Sequence, residues 1–220
     1  MNWIVVSDAE EIAARAVEKI QLCAQQAIRS KGMFSLVLAG GSTPQKAYQQ
    51  LAMQNTDWAG WQFYFGDERC LPIDDEQRNS VMADTTLFQH IPVSRKQVHV
   101  IAAEKGSRLA ADLYSREISL AMPFDLVLLG LGEDGHTASL FPGKSYPQQH
   151  AVVAVHDAPK PPSERVSLNY PSITSAHDIL FMVSGKGKAD AVKKWRNGDC
   201  IPAACFTKAD VLVDEAAWYE

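Results

Sequence analysis

Phe124-Asp125-Leu126-Val127-Leu128-Leu129-Gly130-Leu131-Gly132-Glu133-Asp134-Gly135-His136-Thr137-Ala138-Ser139-Leu140-Phe141 reads as a buried apolar strand that stops in a glycine-punctuated turn. The turn delivers an aspartate and a histidine, and a helix is expected to start just after it. In an open α/β sheet, ligands bind beyond the carboxyl ends of the strands. A histidine at that place moves protons near neutral pH. The stretch therefore predicts an α/β fold with the site of a hydrolytic or isomerising enzyme at this strand end. Gly130-x-Gly132-x-x-Gly135 also matches the dinucleotide fingerprint as a pattern, but a lone match is weak. It lies past mid-chain, and its third glycine is followed at once by His136, so nucleotide binding is disfavoured.

On either side of this stretch, strands and helices alternate. Residues 3–6 read as a short strand, and Asp8 then caps a helix whose apolar face carries Ile12, Ala16, Ile20, Cys23, Ala24 and Ala27. Gly32 ends that helix, and 34–39 is an apolar strand. Gly40-Gly41-Ser42-Thr43-Pro44 turns into a second helix through Leu51, with proline in the first turn, where its missing N–H costs nothing. Residues 61–65 form a strand ending in Gly66-Asp67-Glu68-Arg69. Then follow a helix near 80–88, a short strand 98–101, a helix 107–120, the strand 124–129, and strands at 152–155 and 165–169. Strand 179–183 ends in Ser184-Gly185-Lys186-Gly187-Lys188 before a helix to Trp195. A late strand, 211–213, precedes a short C-terminal helix. This alternation predicts a largely parallel sheet with helices on both faces. The Pro-rich stretch 157–163 is expected as a surface loop over or beside the site, and residues 1–220 as one domain.

Composition bounds the function. The chain has 220 residues, 46% hydrophobic and 21% charged, as in ordinary globular proteins. A formal net charge of −5 argues against generic attraction to nucleic acid or anionic membrane. Cys23, Cys70, Cys200 and Cys205 show neither a disulfide framework nor zinc-finger spacing, and are expected as reduced thiols. The N-terminus lacks the pattern of a signal peptide, and no apolar run approaches the ~18–20 residues needed to cross a bilayer. A cytoplasmic protein without a metal is expected.

Four strand ends carry polar residues that a fold alone does not need. At Gly40, Gly41, Ser42 and Thr43, glycines admit a ligand close to the backbone, hydroxyls flank it, and a helix N-terminus presents free N–H groups; this is an anion cradle suited to phosphate. The closing Gly-Lys-Ser/Thr of a Walker loop is missing. Asp67 is placed to take or orient a proton, and Arg69 to stabilise developing negative charge. Asp134 lies two positions before His136, close enough in a bent loop to orient it. The remaining histidines, His90, His99, His150, His156 and His177, stand in no comparable context and are read as surface or structural. Arg165, after the Pro-rich loop, and the segment carrying Lys186 and Lys188 supply cations that complete the cradle.

With these motifs the sequence resembles the 6-phosphogluconolactonase subfamily of the glucosamine/galactosamine-6-phosphate isomerase family. The similarity runs through Ala39–Pro44 in the cradle, through Gly66-Asp67-Glu68-Arg69, and through the long stretch from Gly130 to Gly143. Arg165-Val166-Ser167-Leu168 and Gly185-Lys186-Gly187-Lys188-Ala189 extend it over almost the whole chain. The resemblance implies a Rossmann-like α/β fold similar to that of glucosamine-6-phosphate deaminase. It also implies cofactor-free hydrolysis of 6-phospho-D-glucono-1,5-lactone to 6-phospho-D-gluconate in the oxidative pentose phosphate pathway. His136 would be the general base, Asp134 its orienting partner, and Arg69, held near Asp67, the oxyanion stabiliser. Gly40, Gly41, Ser42, Thr43, Arg165 and Lys188 would hold the phosphate; which of Lys186 and Lys188 reaches it is left open. The only partner expected is the sugar-phosphate lactone, bound by a monomer or weak homo-oligomer. The family's usual Ser-Asn after Asp-Glu-Arg is here Arg78-Asn79: Asn79 matches and counts among the binding residues, whereas Arg78 replaces a small hydroxyl. A deaminase would continue its Asp-Gly-His with Ile-Ala-Phe-Asn-Glu-Pro; this chain has Thr137-Ala138-Ser139-Leu140-Phe141-Pro142, with no acid there.

Overall fold

A computed structural model describes residues 1–219. The elements in chain order are β1 (Asn2–Val6), α1 (Ala9–Lys31), β2 (Phe34–Leu38), α2 (Ser42–Ala52), β3 (Trp61–Phe65), β4 (Asp67–Arg69), α3 (Asn79–Thr86), α4 (Ser107–Ile118), β5 (Leu126–Leu129), β6 (Val152–Val155), β7 (Arg165–Leu168), α5 (Tyr170–Thr174), β8 (Asp178–Val183), α6 (Ala189–Arg196), β9 (Asp210–Asp214) and α7 (Glu215–Trp218). Six strands form one parallel sheet in the order β1-β9-β8-β5-β2-β3. The fold is α/β, as expected.

Local chemistry sets the helix ends. Asp8 caps α1 by accepting from the Glu10 and Glu11 amides, and Gly32 ends it in the left-handed conformation at φ 76°. The central strands are buried on both faces, which is why they read as unbroken apolar runs. Along β8 the alternation is visible in its partners. Asp178 meets Lys19 of α1 at 2.6 Å, while Phe181, on the other face, packs edge-on against Trp195 of α6. Helices thus cover both faces. The buried Asp125 carboxylate ties β5 to β2, accepting from the Ser35 amide and hydroxyl at 2.8 and 2.9 Å.

Three expectations need correction. First, Asp67–Arg69 is not merely a strand end. The chain turns at Gly66 and starts β4, which joins a separate antiparallel sheet in the order β4-β7-β6. Second, no helix starts after His136. Thr137 and Leu140 close a tight turn by exchanging backbone hydrogen bonds, and Ala138 takes φ 47°, a conformation no α-helix contains. Third, residues 98–101 make one isolated bridge, Phe63 to Val98, because Ala103 turns back to bond the Ile101 carbonyl.

Candidate active site

The sheet order reverses between β2 and β5: from there the chain adds β3 on one side, and β8 and β9 on the other. A crevice at such a reversal, beyond the strand ends, is where α/β proteins bind ligands. Here it holds a cavity of about 360 Å³ whose wall includes Gly40, Gly41, Ser42, Thr43, Asp67, Arg69, Asn79, His136, Arg165 and Lys188. These ten expected residues come from six separate segments of the chain. Asp134 stands behind His136 rather than on the wall, and Lys188, not Lys186, lines the cavity.

The cradle wall is held from beneath. Tyr48 of α2 bonds both backbone groups of Ala39, its hydroxyl receiving from the amide at 2.9 Å and donating to the carbonyl at 2.8 Å. The N-cap of α2 is Gly41 at φ 109°, a conformation that suits glycine, and no side chain caps this end. The first amides of an 11-residue helix thus face the cavity rim without a side-chain partner. Such an end attracts anions.

On the opposite wall, Asp134 Oδ1 accepts from the His136 backbone amide at 3.1 Å and lies 2.5 Å from its Nδ1. That contact fixes the ring and leaves Nε2 as the nitrogen available to the cavity. Partial burial raises the Asp134 pKa, but the His136 backbone and ring N–H groups outweigh it and hold the carboxyl below its ordinary range. The ring also packs on Phe141, with centroids 4.7 Å apart. Gly132 makes room for the pair: a Cβ there would lie 2.0 Å from His136 Nδ1.

The third wall is basic. Arg69 and Arg165 sit opposite each other on β4 and β7. Arg165 is buried and donates to the carbonyls of Lys160, Pro161 and Pro162, so it also anchors the Pro-rich loop, whose Lys160 and Pro161 line the cavity. Burial lowers the Arg165 pKa, with Asp67 opposing and Arg69 reinforcing that shift. Arg69 donates to the Gln77 carbonyl, and no contact joins its guanidinium to Asp67 among the described hydrogen bonds and ion pairs. Lys188 is held below the ordinary lysine range by burial, with Lys160 adding to the effect and Glu133 and Asp134 opposing it. Glu133 in turn pairs with Lys160 at 2.9 Å.

Sequence reasoning missed Lys160, Glu133 and Ser139. Ser139 donates to Asp67 Oδ2 at 2.6 Å. Both Glu133 and Ser139 lie inside the opening stretch, but nothing in their spacing told which way they point. His99, read as surface or structural, stacks on Tyr64 at 4.3 Å and bonds Glu117 and Gln62, away from the cavity. The four cysteines are free. Among the described residues no His/Cys/Asp/Glu group is arranged to hold a metal ion, and no helix is long and apolar enough to cross a membrane.

Comparison with known proteins shows the family. A Mycobacterium leprae protein named 6-phosphogluconolactonase is 34% identical over 97% of this chain and 95% of its own length. A Streptomyces coelicolor protein of the same name is 36% identical over 84% of this chain and 77% of its own. The chain spans 63% of an Arabidopsis thaliana chloroplastic 6-phosphogluconolactonase and 28% of the human GDH/6PGL endoplasmic bifunctional protein. Among solved structures, a Thermotoga maritima 6-phosphogluconolactonase superposes with TM-score 0.88 at 28% identity, covering 97% of this chain and 98% of that one. A monomeric glucosamine-6-phosphate deaminase superposes with TM-score 0.85 at 25% identity, covering 99% and 98%. Residues 7–218 match the model of one family, and the chain belongs to it: glucosamine-6-phosphate isomerases/6-phosphogluconolactonase.

Proposed function

We propose that this chain hydrolyses 6-phospho-D-glucono-1,5-lactone to 6-phospho-D-gluconate, the lactonase step of the oxidative pentose phosphate pathway, without a cofactor. The observation that carries this reading is an oriented Asp134–His136 pair facing a cavity whose other walls hold an uncapped helix N-terminus, the buried Arg165 and the half-buried Arg69 and Lys188. In the mechanism, His136 Nε2 takes a proton from a water that attacks the C1 carbonyl. Arg69 stabilises the oxyanion of the tetrahedral intermediate. The intermediate collapses by breaking the C1–ring-oxygen bond, and His136 returns the proton to that oxygen. The acid product ionises, so each turnover releases one proton. Asp134 holds His136 in the tautomer that leaves Nε2 unprotonated, and stabilises the imidazolium while it lasts.

At the far end, Gly40, Gly41, Ser42, Thr43, Arg165 and Lys188 bind the phosphate, with Asn79 beside the cradle. Binding energy spent there positions C1 against His136. The protein would work in the cytoplasm as a monomer or weak homo-oligomer, with neither nucleic acid nor membrane as a partner. The likeness in fold to a deaminase makes ring-opening deamination the rival activity, yet residues 137–142 offer no acid to assist it. Purified protein without added metal or nucleotide is expected to speed loss of the phosphorylated lactone. Loss at the spontaneous rate, or ammonia release from glucosamine 6-phosphate, would overturn the proposal.

A further inference from the structure

The Asp67 carboxylate is buried, and both of its oxygens are occupied. Oδ1 accepts from Asn79 Nδ2 at 3.0 Å, and Oδ2 from the Ser139 hydroxyl at 2.6 Å. The same Asn79 nitrogen also donates to the Asp67 backbone carbonyl at 2.9 Å. The two donors belong to different walls of the cavity. Asn79 lies flat against the cradle, where a Cβ on Gly40 would come within 2.0 Å of its Oδ1. Ser139 sits in the tight turn that follows His136, and its own amide donates to Ser167 Oγ on β7 at 3.1 Å. One carboxylate therefore brackets the anion cradle to the turn that carries the base.

The bracket has a buried anchor. Glu68, wholly buried beside Asp67, accepts from the amides of Asn79 and Ser80 at 2.8 and 2.9 Å. It thereby caps α3 from another strand, a task its N-cap residue Arg78 does not perform with its side chain. Arg78 instead lies with Nε 3.5 Å from Glu68, and donates to Glu104 at 3.0 Å and to the Ile101 carbonyl at 2.8 Å. The arginine that replaces a small hydroxyl thus neutralises the carboxylate doing the capping.

We propose that Asp67 is a positioning residue and not a proton carrier: with Asn79 and Ser139 it fixes the His136 turn at its working distance from the anion cradle, and Glu68 with Arg78 holds Asn79 in place. The proposal rests on the hydrolytic reading of the site. An ionised carboxylate only accepts hydrogen bonds, and Asn79 and Ser139 each draw on one of the two Asp67 oxygens, so the group is already committed to holding the two walls together.

Asp67→Asn separates the two roles. An amide keeps the bracket, its oxygen receiving from Asn79 and its nitrogen donating to the Ser139 hydroxyl, but it cannot carry a proton. The expected loss in kcat is about three- to tenfold, the worth of one rearranged neutral hydrogen bond, with the acid limb of the kcat/KM profile where wild type has it. Asp67→Ala, which empties the bracket, should lose substantially more kcat than Asp67→Asn with the same acid limb. Ser139→Ala, which frees the His136 turn alone, should lower kcat by about 10-fold while KM stays within about twofold. A roughly 10²–10⁴-fold fall in Asp67→Asn with its acid limb lost, or unchanged kcat in Ser139→Ala, would overturn the proposal. A wild-type protein inert toward the lactone would overturn the activity instead, so the two failures are told apart by the wild-type control.

Discussion

Replacing Gly132 by alanine tests the active-site geometry with a single methyl group. The added Cβ would stand 2.0 Å from His136 Nδ1, 2.2 Å from Cε1 and 2.7 Å from Asp134 Oδ1, where ordinary contact begins at 3.4 Å. The imidazole must therefore retreat by about 1.4 Å, and its bond to Asp134 cannot survive in the same place. A misplacement of about 1 Å costs on the order of 10²-fold in a positioned reaction, close to 2.7 kcal/mol of barrier. Gly132 does not use the left-handed region, so its backbone accepts alanine without strain. His136 is at the cavity and partly exposed, which lets the ring swing outward without opening the core. Gly132→Ala should accordingly fold with a Tm within about 4 °C of wild type, equivalent to roughly 1 kcal/mol. Its kcat should drop about 10²–10³-fold, while KM for the phosphorylated lactone changes by less than about threefold, since the cradle lies on another strand end. Proton release in a pH-stat reads both constants directly. A folded Gly132→Ala enzyme with kcat within threefold of wild type would refute the claim that the Asp134–His136 placement governs the rate.

Two further outcomes are expected. Arg165→Ala should mainly raise KM for the phosphorylated lactone, by roughly 10- to 150-fold for a lost charge-assisted contact worth about 1.5–3 kcal/mol, and hardly affect the feeble rate on unphosphorylated gluconolactone; equal damage to both would move Arg165 from the phosphate to the scaffold of the Pro-rich loop. The proposed contact from Lys188 to the phosphate needs the ammonium form, and burial lowers the Lys188 pKa, so affinity for 6-phosphogluconate should fall as pH rises through a value below the ordinary lysine range. Calorimetric titration should show that limb moving to higher pH in Lys188→Arg, and superposable profiles would argue against a contact from Lys188.

The parts of the fold that sequence disclosed are those where one local rule governs. Apolar runs buried on both faces marked the parallel strands, and Asp8 and Gly32 marked the ends of α1. The antiparallel sheet was not legible in the same way. β4 has only three residues, all charged, and is a strand because β7 pairs with it, not because of its own pattern. The turn after His136 escaped for a similar reason: residues 137–141 carry no helix breaker before Pro142, and besides the Thr137–Leu140 backbone bonds the turn is tied to distant residues, Ser139 to Asp67, 72 positions away, and to Ser167. At the site, glycine-flanked polar residues at strand ends revealed the cavity wall, since a fold has little other use for them. Partners formed across the chain, such as Glu68 capping α3 or Lys160 meeting Glu133, leave no trace in spacing.

The proposed role of His136 as the proton-transfer group of a lactonase is decided by steady-state hydrolysis of the phosphorylated lactone by wild type and by His136→Ala, each checked for native folding. Wild type should outpace the spontaneous reaction, and His136→Ala should lose about 10²–10⁴-fold in kcat with its fold intact. A variant that keeps near-normal kcat would contradict the account, because no other histidine lines the cavity among the described residues and some other group would have to move the proton.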